Sequence, residues 1–127
     1  MTDIAVRRRK AGMGPSRVQV RVEPRPAGIG VVTVSGELDY DGISAFEQAL
    51  TAAQARGMHQ LLLDLSPLTF MDSSGVNAFL RAQRATTTTG GWLRLANAQP
   101  SVLKVIELVG LGQAIPLYGT VEEALEA

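Results

Sequence analysis

Gln60-Leu61-Leu62-Leu63-Asp64-Leu65-Ser66-Pro67-Leu68-Thr69-Phe70-Met71-Asp72-Ser73-Ser74-Gly75-Val76-Asn77-Ala78-Phe79-Leu80 decides the fold. Gln60 to Leu65 is apolar on both faces, the mark of a central strand with parallel neighbours. A helix opens around Ser73 and carries Val76, Phe79, Leu80 and Gln83 inward at helical spacing. It fades in Thr86–Thr89 and is stopped by Gly90-Gly91. A buried strand feeding a helix through a short polar loop is half of a βαβ unit, and such units build α/β domains.

Working outward, both flanks repeat that alternation. On the N-terminal side, Val18, Val20 and Val22 alternate with Arg17, Gln19 and Arg21, which reads as a half-buried edge strand ended by Pro24 and Pro26. Ile29 to Val34 is β-branched and closed by Ser35-Gly36, and Ala27-Gly28 makes the connection a hairpin. After Asp39-Tyr40-Asp41-Gly42, the residues Ile43, Phe46, Leu50 and Ala53 form a helical stripe ended at Arg56-Gly57. On the C-terminal side, Trp92–Ala96 is a short strand. Pro100 to Val109 is a helix with proline in its first turn and Gly110 just past its end. Ile115–Tyr118 is a last strand, and Val121–Leu125 opens a terminal helix. The order β-β-α-β-α-β-α-β-α predicts an α/β fold: a mostly parallel sheet with right-handed crossovers.

Length and composition agree. The 127 residues suit one domain, and with 46% hydrophobic and 19% charged residues the chain can bury a core. There is no cysteine and a single histidine, His59, which excludes disulfides, thiolate chemistry and histidine clusters. No apolar run approaches a membrane span and no secretory signal is visible, so a cytoplasmic protein is expected. The chain carries 12 basic and 12 acidic residues, but residues 1–25 hold seven of the basic ones and two of the acidic ones, leaving the remainder at net −5. Residues 1–16 read as a disordered basic leader and 17–127 as the domain. Arg7–Lys10 has no aromatic interleaving, so the leader is expected to be a solvated tail, with no direct nucleic-acid contact.

Most enzyme chemistries fail on residue spacing. Neither Ser73 nor Ser74 has the glycine two positions before it that a nucleophile elbow needs. His59 lies beyond the other end of a strand about 20 Å long, so it cannot serve as base. No phosphate-cradling glycine loop follows a strand. Asp39, Asp41 and Asp72 all follow strands and could hold Mg²⁺, but aspartate is also a common turn former and helix cap. Asp72-Ser73-Ser74-Gly75 has two readings. Asp72 or Ser73 caps the helix, or the serine takes a phosphate among the free N–H groups at the positive end of the helix dipole. Asn77, Arg81 and Arg84 extend an exposed stripe behind Ser73, opposite Val76, Phe79 and Leu80.

These residues resemble the STAS-domain anti-sigma factor antagonists (anti-anti-sigma factors) of bacterial partner switching. The signatures are Gly36-Glu37-Leu38-Asp39, Leu63-Asp64-Leu65-Ser66, Thr69-Phe70-Met71-Asp72-Ser73-Ser74-Gly75 and Leu108-Val109-Gly110-Leu111. The chain departs from the family at Gly42, where a threonine is frequent, and at Asn77, where a glycine is. The resemblance implies a four- to five-stranded mixed sheet with helices packed on one side, and no catalytic residue, cofactor or metal. It implies that Ser73 is the phosphoacceptor, within a partner-binding surface of Asp39, Asp72, Ser73, Ser74, Gly75, Asn77, Arg81 and Arg84. It also implies two partners: an anti-sigma factor that is a serine kinase of the GHKL ATPase type, and a PP2C-type phosphatase. The alternatives are a STAS scaffold subunit of stressosome or lipid-transport type, with Ser73 only a cap, and the Mg²⁺ site at Asp39, Asp41 and Asp72.

Overall fold

The computed structural model describes residues 17–127, so the expectations for residues 1–16 lie outside the described residues. The sheet is organised by its longest strand, β2 (Ile29–Leu38), which is paired on both sides. β1 (Val18–Arg25) runs antiparallel along the whole of it, from Val18 beside Gly36 to Arg25 beside Ile29. Pro24 and Arg25 stay in the strand, which therefore runs past the proline where the sequence reading ended it. Among the described residues β2 is the one strand paired with β1, and an edge strand tolerates a proline whose missing N–H faces away from the ladder.

On the other side of β2 two short parallel strands share one edge. β3 (Gln60–Asp64) pairs with Ile29–Thr33, and β4 (Leu68–Met71) takes over at Gly36–Leu38, with a register shift between Gly36 and Glu37. β4 brings the sheet to six strands, one more than the sequence order contains. Its four residues have buried ends, Leu68 and Met71, and an exposed middle, Thr69 and Phe70, so no period-2 alternation announces it. β5 (Trp92–Ala96) pairs with β3, and the two-residue β6 (Leu117–Tyr118) pairs with β5. The strand order is β1-β2-β3-β5-β6, with β4 on β2.

Three helices, α1 (Ile43–Ala55), α2 (Ser73–Thr88) and α3 (Pro100–Leu108), pack on one side of this sheet. Phe46, Leu50, Val76, Phe79, Val102 and Ile106 meet Val32, Val34, Leu61, Leu63 and Leu95 in the main core. The rings of Phe46 and Phe79 lie 5.4 Å apart between α1 and α2. The six-residue α4 (Val121–Glu126) closes over a smaller cluster of Val31, Leu62 and Ala96, which alternate along their strands with main-core residues. α2 persists to Thr88 despite its β-branched end. Thr86, Thr87 and Thr88 each donate their hydroxyl to carbonyls of the preceding turn, which satisfies polar groups at the helix end.

Gly36 is where β2 needs a glycine to lie against β1. Its φ is +91°, and a Cβ there would lie 2.0 Å from the Arg17 carbonyl oxygen. Only a residue without a side chain lets β1 and β2 approach at that point.

Candidate functional site

Leu38 and Met71 are neighbours in the parallel β2–β4 ladder, so Asp39 and Asp72 leave the sheet side by side. The Asp72 N–H donates to the Leu38 carbonyl at 3.4 Å, holding the two chain exits together. Asp72 has extended backbone angles (φ −109°, ψ −168°), and α2 begins at the next residue. Its carboxylate accepts from the Ser74 N–H at 2.9 Å and from the Gly75 N–H at 3.4 Å. Asp72 is therefore the N-cap, and it satisfies donors that would otherwise be orphaned.

Ser73 is left at the first helical position. It is exposed, and its hydroxyl has no hydrogen-bond partner among the described residues. Ser74 behind it is half-buried. Gly75 is buried against the sheet: a Cβ there would stand 2.5 Å from Met71 Cγ and 3.2 Å from Leu38 Cδ2. The glycine thus lets the first turn of α2 sit directly on the strand ends that present Ser73.

The stripe behind Ser73 is partly committed elsewhere. Asn77 and Arg84 are exposed. The Arg81 Nε donates to Glu47 Oε2 at 2.9 Å, bridging α2 to α1 with both side chains half-exposed. Asp39 is half-buried, and its Oδ1 is buried without a hydrogen-bond partner among the described residues. Asp41 is exposed in the Tyr40–Gly42 turn. Among the described residues no group of three or more His, Asp or Glu side chains is arranged to hold a metal ion, so Asp39, Asp41 and Asp72 do not converge as the Mg²⁺ alternative requires. His59 is exposed just before β3, and its carbonyl oxygen faces Gly91, away from the strand ends that carry Ser73.

Two residues missing from the sequence-based surface belong to this end of the molecule. Tyr40 is 79% exposed in the turn after Asp39, and Phe70 is 47% exposed on β4, two residues before Asp72. Both are large apolar groups in water beside a polar helix start, the composition of a contact surface. Tyr40 lies in a stretch that reads as a turn and Phe70 in a strand without alternation, so neither carries a signal in the sequence. No helix among the described residues is long and apolar enough to cross a membrane.

Comparison with known proteins gives a consistent result. The model of the STAS domain family matches residues 19–124. The anti-sigma F factor antagonist of Paenibacillus polymyxa is 30% identical over 99 residues, covering 77% of this chain and 85% of that one. Among solved structures, an anti-sigma factor antagonist from Mycobacterium paratuberculosis superposes with a TM-score of 0.72 at 33% identity, over 89% of this chain and 95% of the other. Unphosphorylated SpoIIAA, also described as an anti-sigma factor antagonist, gives a TM-score of 0.72 at 29% identity, over 84% and 93%. SpoIIAA has also been solved in a phosphorylated form, which matches at 0.65 and 28% identity over 84% of this chain and 96% of that one. With the family model spanning both strands and helices of the site, the chain belongs to the STAS domain family.

Proposed function

We propose that this protein is an anti-anti-sigma factor: it binds and sequesters an anti-sigma factor and thereby releases a sigma factor. In this reading its activity is binding, not catalysis, and it takes place in the cytoplasm. The partner is also a serine kinase of the GHKL type. It phosphorylates Ser73 and so ends the interaction, and a PP2C-type phosphatase restores it. Ser73 sits at the centre of a surface formed by Asp39, Asp72, Ser74, Gly75, Asn77, Arg81 and Arg84, extended by Tyr40 and Phe70.

The observation that carries the proposal is the division of labour at the start of α2. Asp72 does the capping, and the Ser73 hydroxyl is exposed and without a hydrogen-bond partner among the described residues. A modification at Ser73 therefore breaks no hydrogen bond among the described residues. A phosphate would lie among the first N–H groups of the helix, where the dipole favours negative charge. Its effect falls on the partner, which meets added bulk and roughly −1.5 to −2 charges beside Asp72. A coupling of about 1–3 kcal/mol already weakens binding roughly 5- to 150-fold, without any change of conformation. The likeness to anti-sigma factor antagonists supports the partner class, and a phosphorylated relative of the same fold supports the switch.

The test is capture from lysate of the native host on immobilised Ser73→Ala and Ser73→Asp proteins, with partners identified by mass spectrometry. The alanine protein is expected to retain a GHKL-type kinase and the aspartate protein to lose it. Capture of the same set by both overturns the switch and favours a constitutive scaffold.

A further inference from the structure

No described strand pairs with the outer edge of β1. The Arg17 carbonyl accepts from the Glu37 N–H at 3.0 Å, so these two residues form a hydrogen-bonded pair at the start of the β1–β2 ladder. Bonded and non-bonded pairs alternate along an antiparallel ladder, and this register is unbroken from Val18 to Arg25. Gln19, Arg21, Glu23 and Arg25 therefore bond to β2, while Val20 and Val22 turn their N–H and C=O groups outward. Pro24 falls in the outward set, where its missing N–H costs the ladder nothing. The outward groups of Val20 and Val22 have no hydrogen-bond partner among the described residues. An edge of this kind is a template for another strand.

The edge is also open in space. A depression of about 980 Å³ follows β1, lined by Val20, Arg21 and Val22 of the strand and by Ala49, Ala52 and Arg56 of α1. Both valines are half-buried, and the short alanine side chains leave room for a second backbone beside them. The charges on the strand are little used. Arg21 is exposed and has no ion-pair partner among the described residues. Glu23 has Arg25 at 3.8 Å, an exposed pair of small worth.

We propose that β1 is a self-association edge, pairing antiparallel with β1 of a second copy across a twofold axis at Val22. Val22 then exchanges two N–H···O=C bonds with Val22 of the second copy. Each Val20 N–H donates to the Pro24 carbonyl of the other copy, since a proline can still accept. In this register Arg21 stands opposite Glu23 of the second copy, twice over, on the sheet face away from α1. Opposite charges at such cross-strand positions stabilise the pairing and like charges oppose it. Moving the axis by one residue either way sets like charges together: Arg21 on Arg21, or Arg21 on Arg25 and Glu23 on Glu23. The charge pattern thus matches the strand to itself in one register, as the self-complementary patch of a twofold dimer must be. Val22 sits beside Val32, about 20 Å along β2 from Leu38. Both Ser73 surfaces stay open in such a dimer, and the pairing does not depend on the function proposed above.

Sedimentation of the full chain from about 1 µM to 1 mM tests this. The wild type is expected to pass from monomer to dimer as its concentration rises. Arg21→Glu sets carboxylates opposite each other and Glu23→Arg sets guanidinium groups opposite each other, so each should weaken self-association about tenfold or more. An equimolar mixture of the two variants should restore it, because each copy then supplies the charge the other lacks. Recovery in the mixture also shows that both variants are folded. A wild type that stays monomeric throughout overturns the proposal. A dimer indifferent to both reversals places the contact on another face and overturns it too, as does a mixture no more associated than its components.

Discussion

Asp72→Ala and Ser73→Ala are adjacent single substitutions with sharply different expected costs. Asp72→Ala removes the acceptor of the Ser74 and Gly75 N–H groups. Loss of an N-cap costs about 1 kcal/mol, with a range of roughly 0.5–2. A carboxylate at the positive end of a helix dipole adds about 0.3–1 kcal/mol. Asp72→Ala should therefore destabilise by about 1–2 kcal/mol. For a domain of this size that is a fall in Tm of very roughly 4–9 °C, from an unfolding entropy of about 2.1 cal/mol/K per residue. Asp72→Asn keeps a capping oxygen and should lose only the charge contribution. Ser73→Ala removes an exposed hydroxyl that bonds to nothing described, so its cost should stay within about 0.5 kcal/mol. Urea unfolding followed by the fluorescence of Trp92, the single tryptophan, measures all three on one scale. A Ser73→Ala protein as unstable as Asp72→Ala would refute the reasoning, because the hydroxyl would then be supporting the helix start instead of standing free.

Gly75→Ala should destabilise by about 1–3 kcal/mol although alanine is the better helix former, since its methyl would overlap Met71; in urea unfolding the same substitution should cost less in a Met71→Ala background than in the wild type. Gly36→Ala combines a positive φ with a clash on the Arg17 carbonyl, so its loss should exceed about 2 kcal/mol, readable as a lowered urea midpoint. Arg94 Nη1 donates to the Ala124 carbonyl at 2.7 Å and its guanidinium lies 3.8 Å over the Trp92 ring. Arg94→Ala should cost about 1–2 kcal/mol and speed amide exchange in Val121–Glu126 before it affects the main core. A double-mutant cycle on the half-exposed Arg81–Glu47 pair should return about 0.2–1 kcal/mol and shrink with salt.

Much of the architecture could be read along the chain because its signals are local. Ile43, Phe46, Leu50 and Ala53 repeat at the helical period, and Phe46, Leu50 and Ala53 are buried in α1. Leu61, Leu62 and Leu63 are all buried, as their unbroken apolarity requires of a strand covered on both faces. Gly110 adopts φ +69° just past α3, as its position after the apolar stripe implies. The Asp72–Gly75 stretch was likewise visible as a helix start. β4 was not, because it is held by pairing with β2 and by burial of its two ends, neither of which leaves a periodic trace. Tyr40 and Phe70 escaped for the same reason: their exposure depends on what the rest of the fold leaves uncovered.

The sequence by itself therefore determined the element types, the apolar faces and the serine-bearing helix start, since each depends on residues within a few positions of one another. Which residue caps that helix was decided only in three dimensions. Met71 is bound into the ladder beside Leu38, so the chain is still extended at Asp72 and turns helical only at Ser73. An N-cap must have non-helical backbone angles, and pairing between strands more than thirty residues apart places those angles on Asp72. That contact leaves the Ser73 hydroxyl without a partner among the described residues.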